Sequence, residues 1–254
     1  SASTLRGAAA ATMPAGDRAM CVGAVSVDGI GRQHVVRNLG GGTAKCCKMF
    51  PEAGPAYAQD DKIFLEMLRR VPPQTKRNGP RVYLADSCVE GNYQATRYSQ
   101  WKLLGRTLSF TVDLSDAGCS CLAAFYLVPM IPVGKWAGSC GVGTSNSATG
   151  TGDRYCDANY VCDVGCSEID ILEANQHALH ATTHTNGDGA GRASGLGGSR
   201  FDLSSDDYGP AAKIIDTRGE FRVHAFFPLV NGKLGPIEVV LQQEERVTRP
   251  IHIG

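Results

Sequence analysis

One segment of this chain alternates strictly between apolar and polar residues, and that alternation limits how the chain can fold. Residues 107–114 read Thr-Leu-Ser-Phe-Thr-Val-Asp-Leu, and a period of two is typical of a strand with one buried face. Residues 122–130, which are apolar on both faces, predict a central strand, and 220–227 and 237–241 predict two more. Asn231-Gly232 between the last two predicts a tight hairpin turn. Since glycine-rich turns separate these runs, the sequence predicts an all-β sandwich.

Residues 61–71 depart from this β pattern. Their apolar side chains recur at helical spacing, at Ile63, Phe64, Met67, Leu68 and Val71. Asp60 precedes them, and aspartate is a common residue at the N-terminal cap of a helix. The pattern alone therefore predicts a helix in this segment.

The charge balance argues against two classes of partner. The 25 Lys and Arg residues match 25 Asp and Glu residues, so the formal net charge is zero. Nucleic acids and anionic membranes attract proteins with a basic surplus. No apolar run reaches the roughly 18 residues that a membrane-spanning helix requires. We therefore expect no nucleic acid partner and no membrane partner.

Ten cysteines indicate an oxidising compartment. Stretches such as Cys46-Cys47 and Cys119-x-Cys121 do not repeat the ligand spacing of zinc sites, although a metal-binding cluster is the alternative. We predict several disulfides of unassigned connectivity in a secreted, extracellular protein. Since no signal peptide is visible, we expect Ser1 to follow a removed segment. Residues 1–20 are expected to be mobile, and residues 21–254 to form a single β-sandwich domain.

The most acidic motif of the chain is residues 166–175, Cys-Ser-Glu-Ile-Asp-Ile-Leu-Glu-Ala-Asn. On a regular strand Glu168 and Asp170 share one face, while the intervening isoleucines point to a core. Regular alternation turns Glu173 to the opposite face, but a β-bulge after Asp170 returns it to the first. We therefore predict a bulged strand with three carboxyl groups in one groove. At least one of their pKa values is expected to rise, because like charges repel.

This arrangement suits the hydrolysis of a glycosidic bond. A retaining enzyme uses a nucleophilic carboxylate and a protonated carboxylic acid about 5–5.5 Å apart. In this interpretation Glu168 attacks the anomeric carbon, Glu173 protonates the leaving oxygen, and Asp170 hydrogen-bonds Glu168. On the residues alone, two alternatives stay open. The motif also suits a solvated acidic surface or a calcium site, although calcium loops usually add glycine and carbonyl donors.

The wider sequence resembles glycoside hydrolase family 7, the cellobiohydrolases and endoglucanases. Residues 166–175 are similar to the active-site strand of that family. Further similar stretches follow in the family's order: Arg81-Val-Tyr-Leu, Leu103-Leu-Gly-Arg, Leu108 to Ser115, Tyr155-Cys-Asp and Tyr208-Gly-Pro.

The resemblance implies a β-jelly-roll sandwich, concanavalin A-like, with long loops and a concave-face cleft for a β-1,4-glucan or mixed-linkage β-glucan substrate. It implies Glu168 as nucleophile, Asp170 as its partner and Glu173 as acid/base, with no cofactor and no metal. It also implies substrate-binding roles for His184, Tyr126, Tyr155, Asp157, Arg81 and Gln100. The family has a strand where residues 61–71 fall, which favours a strand over a helix there.

Several positions depart from the family pattern. The chain has only Trp101 and Trp136, whereas the family stacks glucose rings on several tryptophans. Leu172 stands where the acidic motif of the family usually has a tryptophan. The family also continues beyond Gly254, so we expect a domain that is incomplete or shortened at its C-terminus. Because the acidic motif is intact, we expect a hydrolase that is endo-acting or has a shortened cleft. The missing tryptophans and the early end argue for an alternative. The alternative is a non-catalytic carbohydrate-binding or wall-associated protein on the same scaffold.

Overall fold

A computed structural model describes residues 19–38, 55–66, 79–119, 121–130, 153–159, 165–188 and 203–254. All regular secondary structure in these ranges is β-strand, in agreement with the all-β prediction. Among the described residues, no helix has the length and apolarity to cross a membrane. The described chain forms two compact units. One holds the residues up to Ser99 together with Asp153, and the other holds those from Gln100 onward except Asp153.

The first unit is built on a four-stranded antiparallel sheet. The unit contains six strands in its described part: β1 (Cys21–Val27), β2 (Gly31–Arg37), β3 (Ala56–Gln59), β4 (Lys62–Leu65), β5 (Val82–Ser87) and β6 (Arg97–Tyr98). The sheet has the order β1-β2-β5-β6, while β3 and β4 pair with each other. Met20, Val36, Ala85 and Tyr93 form a small buried core beside it.

The β3–β4 hairpin corrects the helix that the apolar spacing of residues 61–71 predicts. Asp60 and Asp61 have φ angles of 52° and 57°, as in the tight turns that join two antiparallel strands. Lys62–Leu65 then pairs with Ala56–Gln59. Asp60 is therefore a turn residue and not a helix cap, and the strand expected from the family resemblance is confirmed at 62–65. Residues 67–71 lie outside the described ranges.

The second unit contains the remaining strands. They are β7 (Arg106–Val112), β8 (Ala123–Leu127), β9 (Glu168–Ala174), β10 (Leu179–His184), β11 (Tyr208–Gly209), β12 (Ile215–Asp216), β13 (Phe221–Phe227), β14 (Leu229–Val230), β15 (Lys233–Leu234), β16 (Ile237–Gln243), β17 (Arg246–Val247) and β18 (Ile251–Ile253). The order β10-β9-β8 forms one antiparallel sheet, and β17-β16-β13-β7 with β18 beside β16 forms a larger one.

The core of the second unit lies between these two sheets. The smaller sheet contributes Ile171, Leu172, Ala174, Leu179 and Ala181, and the larger contributes alternate residues of β13, β16 and β18. Val223, Val239 and Leu241 are fully buried there. Burial of apolar surface between two sheets is what stabilises a β-sandwich. Because one face of the smaller sheet packs into this core, the opposite face is left to carry polar side chains.

Three predicted strands of this unit and one predicted turn are confirmed, and one prediction is wrong. The segments 220–227 and 237–241 form β13 and β16. The alternating segment 107–114 falls on β7, with Leu108 and Leu114 buried. Asn231 and Gly232, with φ angles of 51° and 77°, form the turn between β14 and β15. The segment 122–130 contains β8, but within the described ranges β8 pairs only with β9, and none of its five residues is buried. Its apolar run therefore does not mark a central strand covered on both faces.

Two disulfides are present among the described residues, as the cysteine content predicts. Cys21 pairs with Cys88 in the first unit, and Cys156 pairs with Cys166 in the second. Cys119 and Cys121 are free cysteines. The other four, Cys46, Cys47, Cys140 and Cys162, lie outside the described ranges, as do Trp136 and most of residues 1–20.

Candidate active site

A β-bulge interrupts β9 between Asp170 and Glu173, as the spacing of the carboxyl groups predicts. On one side, Tyr126 of β8 lies opposite Asp170 and Phe125 lies opposite Leu172, so Ile171 has no partner on β8. On the other side the register with β10 shifts at the same place. Between Asp170 and Glu173, β9 therefore has one residue more than either neighbouring strand, as at a β-bulge.

The bulge brings all three carboxyl groups to one face of the sheet. On β10, His184 lies opposite Glu168, Thr182 opposite Asp170, and His180 opposite Glu173. These β10 residues are two apart, so their side chains share a face. Directly opposite residues of an antiparallel pair also share a face. Meanwhile Ile171 and Leu172 are buried in the core on the other side.

His184 connects Asp170 to the loop after β10. Its Nε2 lies 2.9 Å from Oδ2 of Asp170, and its Nδ1 lies 2.7 Å from the carbonyl oxygen of Asp188. A carbonyl oxygen only accepts hydrogen bonds, so Nδ1 carries a proton and donates it to Asp188. The contact between Nε2 and Asp170 then contains one proton, held either by the imidazole or by the carboxyl group. This geometry fixes the ring of His184 against the carboxyl cluster.

Glu168 is held by the loop that precedes β9. The backbone N–H of Ala158 donates a hydrogen bond of 3.2 Å to Oε2 of Glu168. A disulfide between Cys156 and Cys166 closes this loop, and the N–H of Cys166 donates to the carbonyl oxygen of Asp157. The loop that carries Ala158 is thus joined at two points to Cys166, just before β9.

Burial and mutual repulsion shift two of the three carboxyl groups toward the protonated form. Burial raises the pKa of Asp170 to about 7, and the negative charges of Glu168 and Glu173 add to the increase, while His184 opposes it. Burial also raises the pKa of Glu168, and the hydrogen bond from Ala158 opposes that shift. The raised pKa that the sequence predicts for such a cluster is therefore confirmed.

Two tyrosines and an aspartate border the carboxyl groups. Tyr126 lies opposite Asp170 on β8, and its ring meets that of Tyr155 edge to face at 6.3 Å between centroids. The hydroxyl of Tyr155 donates a hydrogen bond of 3.0 Å to Oδ2 of Asp157. The charge of Asp157 in turn acts on the pKa of Glu168. Three of the residues expected to bind substrate therefore lie beside the carboxyl cluster, as does His184.

The other two residues expected to bind substrate are Arg81 and Gln100. Arg81 belongs to the first unit, where it is half-buried and its carbonyl oxygen accepts a hydrogen bond from the N–H of Asn38. Gln100 is exposed, and within the described ranges no contact joins it to the carboxyl groups. Their substrate-binding roles stay predictions.

Sequence reasoning missed two backbone groups of the site and one side chain. The N–H of Ala158 and the carbonyl of Asp188 belong to the main chain, which no residue type reveals. His180 had a detectable signal, because His180, Thr182 and His184 alternate along β10 as residues on one face. Among the described residues, no group of three His, Cys, Asp or Glu side chains is arranged to hold a metal ion.

Together, the fold and the site define an all-β protein of the jelly-roll sandwich class with a carboxyl-based site on one sheet. The sequence profile described as Glycosyl hydrolase family 7 matches residues 47–164. Among curated proteins, a probable endo-beta-1,4-glucanase celB of Aspergillus clavatus is 31% identical over 188 residues, which cover 64% of this chain and 42% of that protein. Endoglucanase EG-1 of Hypocrea jecorina is 32% identical over 168 residues, 60% of this chain and 34% of the relative.

Solved structures show the same fold at lower sequence identity. The native endocellulase EGI of Humicola insolens superposes with a TM-score of 0.52 at 23% identity, over 76% of this chain and 52% of that one. A GH7 family cellobiohydrolase from Daphnia pulex superposes with a TM-score of 0.55 at 17% identity, over 92% of this chain and 70% of that one. The chain is therefore similar to glycosyl hydrolase family 7 over part of its length. It spans less than half the length of these two curated relatives, and the profile match ends just before the strand that carries the carboxyl groups.

Proposed function

We propose that this protein is a retaining glycoside hydrolase that cleaves β-1,4-glucan, either cellulose-like or mixed-linkage. The observation that carries the proposal is the bulge of β9, which puts Glu168, Asp170 and Glu173 on one face of a sheet. A hydrolase of this kind needs two carboxyl groups with different protonation states beside one bond. The curated relatives named as endoglucanases support the substrate class.

In the first step the carboxylate of Glu168 attacks the anomeric carbon of the sugar. The bond between that carbon and the glycosidic oxygen breaks, and Glu173 donates its proton to the leaving oxygen. Asp170 is buried beside Glu168 with a raised pKa, so in its protonated form it donates a hydrogen bond to the nucleophile. The N–H of Ala158 already donates to Glu168. These donors orient the nucleophile for attack.

In the second step water cleaves the glycosyl ester on Glu168. Glu173, now deprotonated, takes a proton from the water as the oxygen attacks the anomeric carbon. The ester bond breaks, Glu168 leaves as a carboxylate, and the sugar retains its original configuration. His184 keeps Asp170 in place throughout, because its ring is anchored on the carbonyl of Asp188. Tyr126, Tyr155 and Asp157 are the candidate contacts to the bound sugar.

The test is the release of reducing ends from soluble mixed-linkage β-glucan and carboxymethylcellulose. We expect Glu168→Gln and Glu173→Gln each to reduce the rate by roughly 10²–10⁴-fold. Glu245→Gln is the matched control, because Glu245 is an exposed glutamate in the turn after β16. Circular dichroism verifies that each variant is folded.

Turnover by Glu168→Gln or Glu173→Gln equal to that of the wild type would remove the residue from the mechanism. Saturable binding of cello-oligosaccharides by the wild-type protein, with no reducing ends released, would instead support the carbohydrate-binding alternative. A secreted, extracellular location is part of the proposal. It is supported by the two disulfides, which persist in oxidising compartments.

A further inference from the structure

His180 lies beside Glu173 on the face of the sheet that carries the carboxyl groups. The two residues are direct partners in the antiparallel pairing of β10 and β9. Side chains in such a pair have Cβ atoms about 4.5–5.5 Å apart. An extended glutamate and an imidazole ring at that separation are within hydrogen-bonding reach of each other. His180 thus occupies the same relation to Glu173 that His184 has to Glu168.

The ring of His180 has one nitrogen without a partner. Nδ1 is buried and makes no hydrogen bond within the described part of the chain. An unsatisfied buried polar atom is destabilising, so packing alone does not favour a histidine here. A leucine or valine at this strand position avoids that cost. His180 as a whole is half-buried, so the histidine is better explained by a role for its other ring nitrogen, Nε2.

We propose that His180 is a positioning residue for Glu173, and this inference rests on the function proposed above. Nε2 of His180 holds the Glu173 carboxyl group in the orientation from which its proton reaches the leaving oxygen. Hydrogen bonds of this kind are often long without substrate and tighten when substrate binds. In this proposal His184 holds Asp170 and His180 holds Glu173, so side chains of β10 position two of the three carboxyl groups.

The first test uses leaving groups of different basicity. We compare kcat/KM for phenyl β-cellobioside, whose leaving oxygen needs a proton, and 2,4-dinitrophenyl β-cellobioside, whose leaving oxygen does not. His180→Leu is expected to lose roughly 10–100-fold on the first substrate and less than about threefold on the second. His180→Gln keeps a donor and is expected to recover part of the loss. His177→Gln, a substitution at an exposed histidine in the preceding turn, is the matched control.

An equal loss on both substrates would contradict the inference while leaving the proposed hydrolase intact. A second measurement does not depend on turnover. We expect Glu173→Gln to shift the ¹⁵N signals of the His180 ring and to leave those of His177 unchanged. If the wild type hydrolyses neither glycoside, the proposed function fails, and this spectrum still decides whether His180 contacts Glu173. An unchanged His180 signal would overturn the inference.

Discussion

The imidazole of His184 and the carboxyl group of Asp170 are held 2.9 Å apart, with both side chains buried. The other nitrogen of the ring donates to the carbonyl of Asp188, so the ring holds the Asp170 carboxyl group in a fixed position. Three adjacent carboxyl groups, two of them buried, cannot all be ionised at low cost. Burial and the neighbouring charges raise the pKa of Asp170 to about 7, and protonation of this group relieves the repulsion among the three acids of β9.

We expect His184→Ala to impair hydrolysis without unfolding the protein. Loss of the ring frees Asp170 from its anchor, and displacement of a catalytic group by about 1 Å can cost about 100-fold in rate. The measurement is kcat on soluble β-glucan, with urea unfolding to show that the variant is folded. His252→Ala, at an exposed histidine of β18, is the control and is expected to retain wild-type rates. Wild-type kcat in His184→Ala would show that the pair does not position Asp170.

The raised pKa values predict how stability depends on pH. The pKa of Asp170 rises from 3.8 to about 7 on folding, and that of Glu168 also rises. Between those values the folded protein binds more protons than the unfolded chain. The free energy of unfolding therefore falls as pH increases from about 4 to about 7, and it recovers on acidification through the same window.

Asp170→Asn removes the carboxyl group whose pKa is raised to about 7. The asparagine still offers His184 a hydrogen-bonding partner. Relative to the wild type, we expect the variant to gain roughly 2 kcal/mol of stability at pH 8. At pH 4 the two proteins are expected to be equally stable. Urea unfolding at both pH values measures the difference, with Glu245→Gln as the control. The same offset between variant and wild type at both pH values would show that Asp170 does not titrate in this way.

The disulfide between Cys156 and Cys166 is expected to matter more for activity than the one between Cys21 and Cys88. Closure of a loop of this size stabilises a protein by about 3 kcal/mol. The closed segment contains Ala158, whose N–H donates to Glu168. Replacing both Cys156 and Cys166 by serine should reduce hydrolysis at least about tenfold under conditions where the protein remains folded.

The matched control replaces Cys21 and Cys88 by serine, which removes the disulfide of the first unit. That variant is expected to lose stability but to keep most of its rate at low temperature. Equal losses of activity in the two double variants would mean that the loop around Ala158 does not orient Glu168.

Local alternation was sufficient to predict the strands and the bulge. Leu108 and its neighbours show a period of two, and β7 follows from it. The bulge is predictable because Glu173 lies an odd number of residues from Asp170 and both belong on one face. Helical spacing misled for Lys62–Leu65, because Asp60 and Asp61 have positive φ angles and form a turn where the sequence suggested a helix cap. Two successive aspartates mark such a turn less clearly than Asn231-Gly232 does, because they lack the glycine that favours a positive φ angle.

The long-range contacts of the site could not be predicted from spacing. The hydrogen bond from Ala158 to Glu168 joins a main-chain group to a side chain across a disulfide-closed loop. The anchoring of His184 also depends on a main-chain carbonyl, that of Asp188. The apolar run of β8 was misleading because it says nothing about which strands lie beside it. Pairing partners are fixed by the packing of the whole sheet, so they become visible only in the structure.

The most direct test is to trap the glycosyl enzyme with 2,4-dinitrophenyl 2-deoxy-2-fluoro-β-cellobioside. The fluorine slows hydrolysis of the ester, so the covalent intermediate accumulates and can be digested and sequenced by mass spectrometry. We predict one fluorocellobiosyl group per protein, attached to Glu168 and absent from Glu168→Gln. A label on Asp170, on Glu173 or on no carboxyl group of β9 would contradict the central claim that this strand carries the nucleophile.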